Sequence, residues 1–148
     1  MAKVMITGGS RGIGAAAVRR FAAAGHRVFF LYEKAHESAR AVAEETGATA
    51  ICADVADEAQ VKEAFRQSGS VDVLVCNAGI SLFNPINMTS SEQWDRIFDV
   101  NVKGIYHCVN AAIPASWKSR RAPLSLSAPC GARWAPAARR HILPPRAR

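Results

Sequence analysis

Lys3-Val4-Met5-Ile6-Thr7-Gly8-Gly9-Ser10-Arg11-Gly12-Ile13-Gly14 is the stretch that decides the fold. Lys3 to Thr7 is a short apolar run of the kind that forms a strand buried on both faces. The glycines that follow make a turn. From Gly12 the chain takes on helical character, with Ile13, Ala16, Ala17, Val18 and Phe21 on one stripe and Gly25 as the stop.

The same alternation continues outward. Arg27 to Tyr32 reads as a second strand, followed by an Ala/Glu-rich helix over about 35–46 that Gly47 closes. Ala48 to Ala53 is a third strand, Asp57 caps a helix over about 58–67, and Val71 to Cys76 is a fourth strand. Strands and helices in strict alternation with short connections specify parallel β-α-β units with right-handed crossovers. The expected fold class is α/β, a Rossmann-type doubly wound parallel sheet of about four strands. Ser81 to Thr89 is a polar loop, and Ser90-x-x-Gln93 resembles a capping box opening a helical stretch to about Ile113, where Pro114 should end it.

Composition divides the chain in two. Residues 1–113 hold all 12 acids and 11 of the 19 Lys and Arg, a balance of −1. Residues 114–148 hold the other eight basic residues, no acid and six of the seven prolines. The net charge of +7 therefore describes a tail, not a basic nucleic-acid-binding face on the domain. The tail is expected to be unstructured, since proline breaks helices and strips strands of donors. No apolar run is long enough to span a membrane, and Lys3-Val4 enters a strand without room for a signal peptide. Cys52, Cys76, Cys108 and Cys130 are scattered without metal-ligand spacing, which fits reduced thiols in a cytoplasmic protein and no metal site.

The turn carries the first chemical signal. A strand that passes through glycines into a helix offers backbone N–H groups and the positive end of a helix dipole, with no Cβ in the way of a dinucleotide pyrophosphate. The spacing T-G-x-x-x-G-x-G resembles the short-chain dehydrogenase/reductase family, and three further motifs follow in order. Asp54-Val55 follows the third strand, Asn77-Ala78-Gly79 follows the fourth, and Asn101-Val102-x-Gly104 lies in the long helix. Cys76 is a small departure, because a second Asn often precedes the family's N-A-G.

The resemblance implies that Gly8, Ser10, Arg11, Gly12, Ile13 and Gly14 hold the pyrophosphate and adenosine ribose of a nicotinamide dinucleotide. It implies that Asp54 contacts the adenine with Val55 beside it, that Asn77, Ala78 and Gly79 line the cofactor, and that Asn101 is the asparagine of the catalytic set. Cofactor choice turns on charge near the ribose. An acid at the end of the second strand would favour NAD, but that position holds Tyr32, with Glu33 and Lys34 after it. Arg11 in the turn can reach a 2′-phosphate. The expectation is NADP, with NAD kept open by Glu33.

The family reaction is hydride transfer between nicotinamide and a carbonyl. It uses a tyrosine as general acid, a lysine four residues later and a serine that holds the carbonyl oxygen. This chain has only Tyr32 and Tyr106, and neither is followed by lysine at that spacing. Of the family's set only Asn101 is present. The tail begins where the missing residues belong, so its codons matter. Reading the third base of each codon with the first two of the next, His141 to Arg146 permits Tyr-Ser-Ala-Ser-Lys. The same frame permits a serine from Ala128 and Pro129, thirteen positions earlier. Across Cys130 to Arg140 it permits Trp-Gly-Ala-Leu-Gly-Ala-Ser-Cys-Glu-Ala-Ala. The tail thus reads as an out-of-frame product; a natural basic arm is the competing reading.

The in-frame part most resembles the 3-oxoacyl-acyl-carrier-protein reductases of fatty acid biosynthesis. The elongation factor P 5-aminopentanone reductases are an alternative, and a non-catalytic dinucleotide- or nucleic-acid-binding protein is one of another class. The implied partners are a small-molecule or carrier-bound carbonyl substrate, and neither nucleic acid nor membrane is expected. The parent would be a dimer or tetramer assembled through the long helix. This chain is expected to leave the fourth strand with a bare edge and to fail to assemble.

Overall fold

The computed structural model describes residues 1–118 and 125–127. Strand β1 (Lys3–Thr7) lies between β2 (Arg27–Tyr32) and β4 (Val73–Val75), with β3 (Thr49–Cys52) beyond β2 and β5 (Ser125–Ser127) beyond β4. All pairings are parallel. The register sets Val4 beside Val28 and Val73, and Ile6 beside Phe30 and Val75.

The continuous apolar character of β1 and β2 has its expected consequence: both faces of the sheet are covered. Val4, Ile6, Val28 and Phe30 point to one side, where they pack with Ala15 and Val18 of α1 (Gly12–Ala23) and Ala39 and Val42 of α2 (His36–Thr46). Met5, Phe29 and Leu31 point to the other. There they meet Val61, Ala64 and Phe65 of α3 (Glu58–Ser68) and Cys108 and Ala112 of α5 (Gly104–Lys118). The architecture is a doubly wound sheet between two helical layers.

Local signals set the boundaries. Asp57 accepts the backbone N–H groups of Ala59 and Gln60 and caps α3. Gly47 ends α2 with φ 68°, in the left-handed region open to glycine. Ser90 and Gln93 form the reciprocal capping box at the start of α4 (Ser91–Phe98), which continues through a π-helical segment (Asp99–Lys103) into α5.

Three expectations are corrected. Pro114 does not end the long helix, which runs on to Lys118. A proline removes its own donor but leaves those of the residues after it, and α5 is already anchored on the core through Cys108 and Ala112. The tail is not structureless throughout, and β4 does not present a bare edge. Ser125, Leu126 and Ser127 pair with Val73, Leu74 and Val75. Pro123 and Pro129 bracket this triplet rather than interrupt it, so all three residues keep their donors. The positions whose shifted frame permits Ser and Tyr-x-x-x-Lys lie outside the described residues.

Candidate functional site at the switch point of the sheet

The order β3-β2-β1-β4-β5 reverses direction at β1. From β1 the chain goes one way to β2 and β3, and later returns to the other side as β4. In open parallel sheets the connections diverge at such a point and leave a crevice at the carboxyl ends of the strands. Thr7 and Asn77 lie on the two sides of it.

The crevice floor is tied by one threonine and one asparagine. The Thr7 hydroxyl accepts the backbone N–H groups of both Asn77 and Ala78 at 2.9 Å. The Asn77 side-chain amide donates in return to the carbonyls of Thr7 and Gly8, each at 3.2 Å. The first glycine turn is thereby fixed to the loop after β4. Gly8 has φ 68°, and a Cβ there would stand 3.0 Å from the Ala78 Cα. Gly14 is tighter still: a Cβ would fall 2.0 Å from the Gly8 carbonyl oxygen. Gly9 packs against Phe30, its N–H donating to the Leu31 carbonyl at 3.0 Å, so it supports the turn from beneath.

What faces outward is the start of α1. Arg11 occupies its N-cap with extended backbone and no side-chain capping bond, and the first turn contains no acid. The leading amides of the helix therefore lack an internal acceptor, and the dipole favours an anion there. Gly12 at φ 54° has open space where a Cβ would go, Ser10 is partly exposed, and Ile13 is 77% exposed. These residues fit a pyrophosphate on the helix end with an apolar side chain beside it.

A second group gathers at the ends of β2 and β3. Tyr32 pairs with Cys52, and its hydroxyl lies 3.3 Å from His36 Nδ1; partial burial pushes its hydroxyl above the usual range. One Asp54 carboxylate oxygen accepts the Ala56 N–H at 2.9 Å and the other takes the Arg96 guanidinium at 2.8 Å. Arg96 also reaches Glu33 at 3.4 Å, and Lys34 sits 3.0 Å from the same Glu33 oxygen. Val55 is buried beneath α5, its side chain against Gly104. Its carbonyl is 3.0 Å from Nδ1 of the buried His107, which must carry the proton, since a carbonyl only accepts.

Asn101 lies in the π-helical segment. Its side-chain oxygen accepts the Ile80 N–H at 2.8 Å and its amide donates to the Ile80 carbonyl at 2.9 Å. This reciprocal pair holds the loop after Asn77-Ala78-Gly79, and Gly79 passes beside the Asn101 amide.

The comparisons with known proteins agree with this geometry. The model of the short chain dehydrogenase family matches residues 2–122. The chain belongs to that family. It is 39% identical over 138 residues to the 3-oxoacyl-[acyl-carrier-protein] reductase FabG of Staphylococcus aureus, a match covering 86% of this chain and 56% of that one. It is 46% identical over 104 residues to the cyclic-di-GMP-binding biofilm dispersal mediator protein of Escherichia coli, covering 70% of this chain and 44% of the relative. Among solved structures, BdcA in complex with NADPH superposes with a TM-score of 0.74 at 40% identity, covering 84% of this chain and 50% of BdcA. A blue fluorescent protein from a metagenomic library, also in complex with NADPH, gives 0.73 at 41%, covering 77% of this chain and 51% of that protein. The chain spans about half the length of the curated relatives it matches.

The structure brings the sequence-derived residues together in three groups. Gly8, Gly14, Asn77 and Ala78 form the crevice floor; Tyr32, Asp54 and Val55 end the neighbouring strands; Asn101 secures the loop at Gly79. Thr7, Arg96 and His107 were not singled out by sequence. Thr7 is the first letter of the turn motif, whereas Arg96 and His107 carry no local signal.

Proposed function

We propose that residues 1–113 form the cofactor-binding half of an NADP-dependent oxidoreductase that transfers hydride to a carbonyl. The observation that carries this reading is the uncapped start of α1 over the switch point, with Gly14 pressed against the Gly8 carbonyl so that the crevice admits a pyrophosphate. A bound nicotinamide supplies the hydride chemistry. The turn amides bind the phosphates, Arg11 reaches the 2′-phosphate, Asp54 meets the adenine edge and Asn77-Ala78-Gly79 lines the floor. Asn101 positions that loop through Ile80.

The preferred substrate class for the whole protein is a 3-oxoacyl thioester or similar ketone, in keeping with the FabG relatives. In the 148-residue sequence the proton donor and carbonyl-binding serine of the family pattern have no counterpart, so this chain binds cofactor without completing the reaction. A second reading, dinucleotide binding without catalysis, is favoured by the relative named for binding cyclic-di-GMP.

Fluorescence titration with NADPH and NADH tests the cofactor reading. NADPH should bind more tightly, and Arg11→Ala should narrow the gap by about tenfold or more, as the loss of a charge-assisted contact would. Equal affinities, or a gap that the substitution leaves intact, would overturn it. Displacement of NADPH by cyclic-di-GMP would support the second reading.

A further inference from the structure

Arg96 is on α4, yet its guanidinium reaches the ends of two strands. It lies 2.8 Å from Asp54 after β3 and 3.4 Å from Glu33 after β2. Asp54 is the more enclosed of the two acids, its side chain 22% exposed. Lys34 also meets Glu33, but at 85% exposure it is a solvated partner on a flexible stem. Glu33 and Asp54 follow the strands that end beside β1 and its glycine turn, where the cofactor reading above would put the adenosine. Unopposed, two carboxylates there would repel a 2′-phosphate and spare a 2′-hydroxyl.

We propose that Arg96 is a specificity-determining residue: by bridging Glu33 and Asp54 it neutralises the acids beside the ribose and makes the site tolerant of the 2′-phosphate. This rests on the NADP reading above and assigns part of that preference to a helix outside the nucleotide-binding turn. The bridge carries a second effect. It ties α4 to the cofactor side of the sheet, so the acids keep one orientation instead of swinging toward the ligand. Lysine at 96 would retain the charge but not the two-point contact. Both cofactors share the pyrophosphate, so a purely structural role for Arg96 would move their affinities together. An electrostatic role moves their ratio.

The test uses the full 148-residue chain, with circular dichroism to confirm that each variant folds. NADPH and NADH are titrated against the wild type, Arg96→Ala, Arg96→Lys, Glu33→Gln and the double variant Arg96→Ala/Glu33→Gln. An uncompensated carboxylate beside a phosphate at a solvent-screened surface changes affinity by about tenfold. Arg96→Ala should lower the NADPH-to-NADH affinity ratio by about that factor, chiefly through NADPH. Glu33→Gln should restore much of the ratio in the double variant, Arg96→Lys should lie between, and high ionic strength should shrink the difference. A wild type that prefers NADPH with a ratio unmoved by Arg96→Ala overturns the inference and leaves the cofactor reading standing. A wild type without NADPH preference removes the reading and the inference together. If Arg96→Ala does not fold, Arg96→Lys decides: losing the two-point contact should lower the ratio, and an unmoved ratio overturns the proposal.

Discussion

The hydroxyl oxygen of Thr7 accepts the backbone N–H of Asn77 at 2.9 Å, joining residues 70 positions apart across the switch point. The same oxygen takes the Ala78 N–H, and Thr7 itself is 2% exposed. Replacing it by the near-isosteric valine would leave both amides without that acceptor. A buried donor left unsatisfied costs about 1–3 kcal/mol. Thr7→Val should therefore lower unfolding stability by at least about 2 kcal/mol and weaken NADPH binding, while Thr7→Ser should nearly match the wild type. Urea denaturation of the pair measures this; a Thr7→Val variant as stable as the wild type, with the loss in Thr7→Ser instead, would show that the methyl, not the hydroxyl, matters.

Gly12 and Gly14, two residues apart in the motif, should behave differently. Gly14→Ala places a methyl 2.0 Å from a backbone oxygen, a clash with no flexible partner to absorb it. Gly12 has φ 54° but open space around the missing Cβ. Alanine there meets only backbone strain, on the order of 1 kcal/mol. Gly14→Ala should abolish cofactor binding or folding, and Gly12→Ala should weaken them mildly. Comparable effects in a binding titration would contradict the geometry.

How much of this was legible follows from range. The strands were visible because parallel strands buried on both faces are continuously apolar, as Val28 to Leu31 are. The turn was visible because a close backbone approach leaves only glycine. Asp57 and Ser90 were visible as caps because their partners are two or three residues away. Arg96 and His107 were not, since their partners lie 42 and 52 residues off and depend on how α4 and α5 settle on the sheet. Ser125 to Ser127 is hidden in the sequence because the proline content of the whole tail masks a triplet, whereas a three-residue pairing needs only three free donors.

The chain should bind cofactor without turning it over. Asn101 is committed at both ends of its side chain to Ile80, and neither Tyr32 nor Tyr106 has a lysine four residues later. Loss of a general acid alone costs about 10²–10⁴-fold. NADPH oxidation with an acetoacetyl thioester should stay at background, and turnover at ordinary enzyme rates would mean that the proton donor has been misplaced.

The thiols give a pH-dependent test. Cys76 and Cys108 are buried, and burial pushes Cys76 up to about 12 and Cys108 higher, from an ordinary value of 9.0. A raised value means that the folded chain holds its thiol protons more tightly than the unfolded chain does. Their contribution is complete below about pH 9 and declines as pH rises toward 12, at about 1.4 kcal/mol per pH unit per thiol. Stability should fall on the alkaline side, and Cys76→Ala should flatten that fall. In the native state alkylation followed by peptide mapping should find exposed Cys52 modified, with Cys76 and Cys108 protected. Fast labelling of either buried thiol would show the core to be open.

An apolar stripe runs along the outer face of α4, the π-helical segment and α5. Trp94, Phe98, Val102 and Tyr106 recur every four residues and are 47%, 47%, 58% and 61% exposed. A spacing of four drifts around an α-helix, but the wider π-helical turn at Asp99–Lys103 offsets the drift and keeps them on one stripe. The Trp94 and Phe98 rings lie 5.1 Å apart, tilted by 36°, so the stripe begins as a continuous aromatic surface. Phe83, Ile86 and Met88 on the preceding loop are also exposed. An apolar surface of this extent marks an association face or an aggregation hazard. Fully burying each large side chain is worth about 1.5–3 kcal/mol, and even the exposed half of four of them outweighs the charge of nearby Lys103 and Asp99, which already pair with each other at 3.5 Å. The isolated chain should bind a hydrophobic dye and grow in size with concentration in sedimentation velocity. Trp94→Glu combined with Phe98→Glu should suppress both, because a like-charged pair on the stripe must be desolvated in any self-contact. A wild-type chain that stays monomeric at high micromolar concentration without binding dye would show the stripe to be covered by the chain itself.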